Sequence, residues 1–168
     1  MQASKGPTAL EGGARAATAA LAKSSQFLTL RLGSEEYAID ILRVQEIRSY
    51  EEPTRMVNSP GFIKGVINLR GTIVPIADLR IKLNIEEVAY NDFTVVIILN
   101  IGGTVVGAVV DAVSDVVSLS EDSIKPAPQF DSGIDEKFIV GLVTLGERTL
   151  IIMHVDALLS NAELGMTA

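Results

Sequence analysis

One histidine and no cysteine in 168 residues set narrow bounds on the chemistry this sequence can perform. A Ser-His-Asp triad would have to be built on His154, which stands in the apolar run Leu150 to Val155. A lone strand histidine, with no Cys or second His to share a ligand, reads as structural. None of the serines lies in a Gly-x-Ser-x-Gly elbow. The absence of Cys removes disulfides, thiol nucleophiles and thiolate metal sites together, and it fits a reducing compartment. Carboxylates are plentiful but scattered. Asp111 and Asp115 lie four apart in a strand-rich stretch, where they need not share a face. Glu35-Glu36, Glu51-Glu52 and Glu86-Glu87 read as solvated turns, and no EF-hand loop is present. Gly102-Gly103 lacks the Lys-Ser/Thr of a phosphate loop and precedes a strand, so it reads as a turn. These residues point to a binding module with no catalytic residues, no cofactor and no metal site.

The scaffold that must position the remaining side chains is a strand scaffold. Apolar residues make up 48% of the chain but aromatics only 5%, with no Trp, so the core is built of Val, Ile and Leu. The β-branched members of that set favour pleated surfaces. Leu28, Leu30 and Leu32 alternate on one face, and Gly33 to Glu36 is a turn signal. Tyr37, Ile39 and Ile41 then resume the alternation. Ile41 to Arg48 is ambiguous: Ile41, Val44 and Ile47 also fit a helical face, which leaves open strand throughout or a short helical turn within a strand region. Ile63 to Ile67 and Thr72 to Ile76 flank Asn68-Leu69-Arg70-Gly71, a hairpin tip. Asp78 is expected to cap a short helix through Lys82. Thr94 to Leu99 is continuously apolar, as in a strand buried on both faces. Thr104 to Val110, Val113 to Leu119 and a hairpin around Gly146-Glu147 complete nine or ten strands. Pro126 and Pro128 mark an extended loop, and Asp156 is expected to cap a C-terminal helix. Regular turns and short strands suggest one or two small barrels, which remove sheet edges by closure. No exact internal repeat is visible.

Residues 1–25 differ from this body. They are rich in Ala, Gly and Ser, and cannot bury enough surface to offset their ordering entropy, so they read as a mobile tail. Lys5, Arg15 and Lys23 outnumber Glu11 there, which makes the body more acidic than the whole chain's −7. That balance argues against nucleic acid as a partner, whose affinity depends on cations neutralising phosphates. No apolar run reaches the length of a membrane span, and the Ala-dominated stretch 16–22 lacks a signal peptide's apolar core. The expected location is the cytoplasm, without direct membrane insertion.

The most specific stretch is Asn58-Ser59-Pro60-Gly61-Phe62-Ile63-Lys64-Gly65-Val66-Ile67-Asn68-Leu69-Arg70-Gly71, followed by Val74-Pro75-Ile76-Ala77-Asp78-Leu79-Arg80. It resembles the signature of CheW-type chemotaxis coupling domains. Tyr37 to Ile41 with Val44 to Arg48, and Val109 to Asp111 with Val113 to Val116, resemble the family's flanking motifs in order. The resemblance implies an all-β fold of two small five-stranded SH3-like β-barrels with short helices. It would span residues 26–160, with a C-terminal tail at 161–168. It also implies a non-enzymatic adaptor with two partners: the cytoplasmic tip of a chemoreceptor and the regulatory domain of the histidine kinase CheA. Recruitment to membrane-anchored receptor arrays would follow.

On this resemblance the partner-binding candidates are Val44, Glu46, Gly65, Asn68, Arg70 and Gly71. Gly65 and Gly71 permit close approach or positive φ, and Asn68 can satisfy turn backbone groups. Arg70 offers a permanently charged fork. It either faces a partner or pairs internally with Asp78 or Glu46, while Val44 and Glu46 divide in the same way between partner contact and ordinary packing or solvation. The alternative to a stand-alone adaptor is the same module within a kinase or related chemotaxis scaffold. The initiating Met and the short chain, with no room for a kinase or receiver domain, favour the adaptor.

Overall fold

The computed structural model describes residues 24–85, 88–126, 136–160 and 163–164. Ten strands occur among them: β1 (Ser24–Leu32), β2 (Glu35–Asp40), β3 (Val44–Ser49), β4 (Ile63–Leu69), β5 (Thr72–Asp78), β6 (Val95–Ile101), β7 (Thr104–Val110), β8 (Ala112–Ser120), β9 (Ile139–Leu145) and β10 (Arg148–Met153). They form two five-stranded sheets. Sheet I has the order β8-β1-β2-β10-β9, and sheet II the order β3-β6-β7-β5-β4. The ambiguous stretch Ile41 to Arg48 divides into a 3-10 turn at Ile41–Arg43 and the start of β3. No helix among the described residues is long and apolar enough to cross a membrane.

The alternating side chains of the strands build three cores. Leu28, Leu30 and Leu32 of β1 meet Ile97, Leu99 and Ile101 of β6 in a common core between the sheets. The opposite phase of sheet I, including Phe27, Ala38, Leu150 and Ile152, forms a core of its own. Val74, Ile76, Val96, Ile98 and Val109 do the same for sheet II. A strand serving two cores must be apolar in both phases, which is why residues 94–99 read as an unbroken apolar run.

In each sheet the chain leaving one edge strand bridges the opposite edge. Thr54, beyond β3, bridges Val66 of β4 through backbone hydrogen bonds of 2.9 and 2.8 Å. Lys125, beyond β8, bridges Leu142 of β9 through two bonds of 2.8 Å. The sheets share further construction. Their parallel contacts are β5 with β7 and β10 with β2. Ile76 and Ala77 pair across a bulge with Gly65 and Ile63, as Ile152 and Met153 pair with Gly141 and Ile139. Asp78 N–H donates to Phe62 O at 2.8 Å, and His154 N–H donates to Phe138 O at 2.7 Å. The architecture is thus duplicated where the sequence shows no exact repeat, because packing constrains size and polarity rather than residue identity.

Helix α1 (Leu79–Lys82) is capped by Asp78, whose carboxylate accepts the Arg80 N–H. Helix α2 (Val155–Leu158) corrects two expectations. Asp156 does not cap it. His154 occupies the cap position without a side-chain bond, and Asp156, in the first turn, is bound by Arg43 Nε and Nη2 at 2.9 Å each. His154 is exposed beyond the end of β10 rather than within a strand. The chain still packs past α2: Leu164 lies in the common core. The tail expectation up to Lys23, the Glu86-Glu87 turn, Pro128 and most of 161–168 lie outside the described residues.

Candidate partner-binding site

Arg70 and Gly71 are the two central residues of the β4–β5 hairpin, with φ of 50° and 90°. Positive φ at both positions matches the twist of the flanking strands, as in a type I′ turn. Gly71 suits that geometry. Asn68 supports it through its side chain, whose Oδ1 accepts the Gly71 N–H at 2.8 Å. Arg70 does not suit it, because a Cβ disfavours the left-handed region. In sheet I the equivalent position is Gly146, with φ of 64°. An arginine therefore stands where the matching hairpin uses glycine.

The Arg70 side chain reaches over to β3. Its Nη2 donates to Glu46 Oε1 at 2.7 Å. Strands β3 and β4 are the two edges of sheet II, so this ion pair crosses the seam between them. The alternative partner Asp78 is buried and engaged by Arg80. Pairing with Glu46 uses one guanidinium contact and leaves the Arg70 side chain 67% exposed. Internal pairing and availability to a partner coexist here.

Of the six candidates, Glu46, Asn68, Arg70 and Gly71 come together at this end of the sheet. Val44 lies along β3, half-buried against the common core, with a bulge between it and Glu46. Gly65 is buried. A Cβ there would sit 2.0 Å from Thr54 O, so this glycine lets residues 54–55 cross β4 and sets the path of the seam.

Sequence reasoning passed over the apolar residues around these groups. Ile47 on β3 and Ile73 on β5 are 42% and 61% exposed, and Leu42 in the 3-10 turn is 81% exposed. Ile47 carried a legible signal, since it occupies the exposed phase shared by Gln45 and Ser49. Asp111 and Asp115 serve different cations. Asp111 binds Arg80 at 2.8 Å, and Asp115 binds Arg148 at 3.0 Å. Arg148 also grips Glu36, and its hydrogen bonds hold the carboxyls of Glu36 and Asp115 below their ordinary pKa values. Among the described residues no group of three or more His, Asp or Glu could hold a metal ion.

The family model of the CheW-like domain matches residues 26–163. The chain is 54% identical over 141 residues to the chemotaxis protein CheW of Klebsiella aerogenes, covering 84% of this chain and 85% of that one. It is 33% identical over 138 residues to a probable chemotaxis protein CheW of Rhizobium etli, covering 82% and 89%. The crystal structure of the scaffolding protein TtCheW from Thermoanaerobacter tengcongensis superposes with a TM-score of 0.75 at 32% identity, covering 83% and 90% of the two chains. With its two five-stranded sheets and a match over most of its length, the chain belongs to the CheW family of non-enzymatic chemotaxis scaffolding proteins.

Proposed function

We propose that this protein couples the cytoplasmic tips of chemoreceptors to the regulatory domain of the histidine kinase CheA, and that it is recruited from the cytoplasm to membrane-anchored receptor arrays. Arg70 and Glu46, with Asn68 and Gly71 beside them, Val44 further along β3 and Gly65 shaping the seam, form part of the docking surface. The observation carrying this reading is Arg70 itself. A non-glycine residue in the left-handed region costs about 1–3 kcal/mol, persists only where the surrounding structure holds it, and is found most often at functional sites. The equivalent hairpin avoids that strain with Gly146. Here it is accepted, and the side chain it carries is a largely exposed cation.

The adaptor acts by bivalency. Each contact can be weak, because engaging both partners within a lattice raises effective concentration. Kinase output changes through geometry, without the adaptor touching phosphoryl transfer. Competition tests this directly, with a receptor-tip fragment, the kinase regulatory domain and the full chain. A three-component complex is expected. Complete mutual displacement of the two partners would place them on one surface and sink the bridging mechanism.

A further inference from the structure

The common core holds the sheets together by apolar contact, which is strong but non-directional. One buried polar cluster crosses it with direction. Arg80, on α1, is 1% exposed. Its Nε and Nη2 donate to the two oxygens of Asp78 at 2.9 Å each, a bidentate fork. Its Nη1 donates to Ala89 O and, at 2.8 Å, to Asp111 Oδ1. The other oxygen of Asp111 accepts the N–H of Gly33 at 2.7 Å, in the β1–β2 turn of sheet I. The Asp111 N–H donates to Arg31 O at 3.1 Å. In the other direction, Tyr90 Oη donates to Asp78 Oδ2 at 2.7 Å, and its ring stacks on Tyr50 with centroids 4.5 Å apart. Tyr50 directly follows β3, the strand that carries Glu46. Burial works to lower the Arg80 pKa, and the bonds from Asp78 and Asp111 outweigh it, so the charge is secure.

We propose that Arg80 is a positioning residue for coupling: acting through Asp111 and the Tyr90–Tyr50 stack, it fixes the Arg70–Glu46 end of sheet II in one orientation relative to sheet I. Its functional consequence rests on the bridging role proposed above, since an adaptor that works by geometry needs its two surfaces held at a fixed angle. A planar fork with four engaged donors specifies direction in a way that Val-Ile-Leu packing does not. The other inter-sheet ion pair at α1, Lys82 to Glu163 at 2.9 Å, is a single contact from a flexible stem. Buried ionic groups add less stability than specificity where they have such a role.

The decisive variant is Asp111→Ala. It removes the carboxylate that joins Arg80 to Gly33 of sheet I, keeps the backbone bond from Asp111 to Arg31, and leaves Arg80 neutralised by Asp78. The native chain has no cysteine, so paired labels are clean. Spin labels at Ile73→Cys on sheet II and Val140→Cys on sheet I report the inter-sheet distance distribution. Labels at Val116→Cys and Val140→Cys, both on sheet I, are the control. In the Asp111→Ala background the first distribution should broaden and the second should not. In reconstituted receptor–kinase assemblies, kinase control should fall about fivefold while each partner's separate affinity stays within about twofold. If Asp111→Ala does not fold, Asp111→Asn, which keeps one acceptor oxygen, carries the same readings. An unchanged inter-sheet distribution, or equal broadening of both pairs, overturns the inference whatever the partners do. Broadening with full kinase control overturns the role in coupling, and the bridging mechanism is still judged by the competition experiment alone.

Discussion

Reversing the charge of Arg70 separates recognition from folding. Arg70→Glu keeps a non-glycine residue at φ 50°, so the backbone strain is common to both proteins and cancels. What changes is the pair with Glu46, a single 2.7 Å contact with the arginine side chain 67% exposed. An exposed pair of this kind contributes about 0.2–1 kcal/mol. Opposing Glu46 with a second carboxylate adds a repulsion of similar size. The summed loss is therefore about 1–1.5 kcal/mol, or about 3–6 °C in melting temperature for a domain of this size. A guanidinium desolvated against a partner is worth more: losing it costs about 2 kcal/mol or more, on the order of thirtyfold in affinity. Circular dichroism melts and binding to receptor-tip and kinase fragments measure the two effects. The charge swap Glu46→Arg with Arg70→Glu decides between them. It restores the pair and the melting temperature but presents the wrong charge outward, so binding should stay low. Full recovery of binding in the swap would refute the reasoning, because the pair alone would then suffice. A melting temperature that collapses on Arg70→Glu would refute it from the other side.

Five further perturbations have definite expected outcomes. Gly65→Ala and Gly141→Ala would drive a Cβ to 2.0 and 2.3 Å from the backbone oxygens of Thr54 and Lys125, so thermal melts should show losses of about 3 kcal/mol or more. Gly71→Ala, with no atom within 4 Å of the added Cβ, should lose only about 1 kcal/mol through its positive φ. The carboxyls of Glu36 and Asp115 titrate below their ordinary values of 4.5 and 3.8 in the folded state, mainly through Arg148. Their contribution is complete above those values and disappears as pH falls through the lowered ones. Arg148→Gln should therefore lower stability at pH 7 and flatten its decline below about pH 4.5, as read from urea midpoints across pH. Deleting residues 1–23, which carry few large apolar side chains, should leave the melting temperature within a few degrees, measured by calorimetry.

The features that could be read from sequence are those whose physics is local. The Arg70-Gly71 tip, the Asp78 cap, the 3-10 turn at Ile41 and the doubly buried β6 all follow from spacing within a few residues. Asp156 failed as a cap because its fate is decided by Arg43, far away in sequence. Gly65 is legible in sequence as a point of close approach or positive φ, but what approaches it is not. Its constraint is the crossing backbone of Thr54, which no local pattern announces. Arg70 and Arg80 look alike in sequence, each near a turn with acids within reach. One is exposed and singly paired, and the other is buried beneath two sheets with four donors engaged. Only tertiary packing separates them.

The duplicated architecture gives a reason for the proposed docking surface to lie at Arg70 and not at its counterpart in sheet I. Both sheets carry a hairpin at the corresponding place, and both set an arginine of that hairpin against an acid on the far edge strand. In sheet II the pair is Arg70 with Glu46 on β3. In sheet I it is Arg148 with Asp115 on β8. The decoration then differs. Arg148 has Glu36 as a second carboxylate, and Asp115 is further bound by the buried Thr29 hydroxyl. With two acids around one cation, that end offers a partner little unsatisfied donor capacity. Arg70 has one carboxylate, one contact and most of its guanidinium in solvent, at a tip where its counterpart is Gly146. A common scaffold thus yields one end whose cation is shared by two acids and one whose cation is singly paired and largely exposed. The test of that asymmetry is to relieve it: Arg70→Gly removes both strain and cation, so it should hold or raise stability by up to about 1 kcal/mol while weakening partner binding.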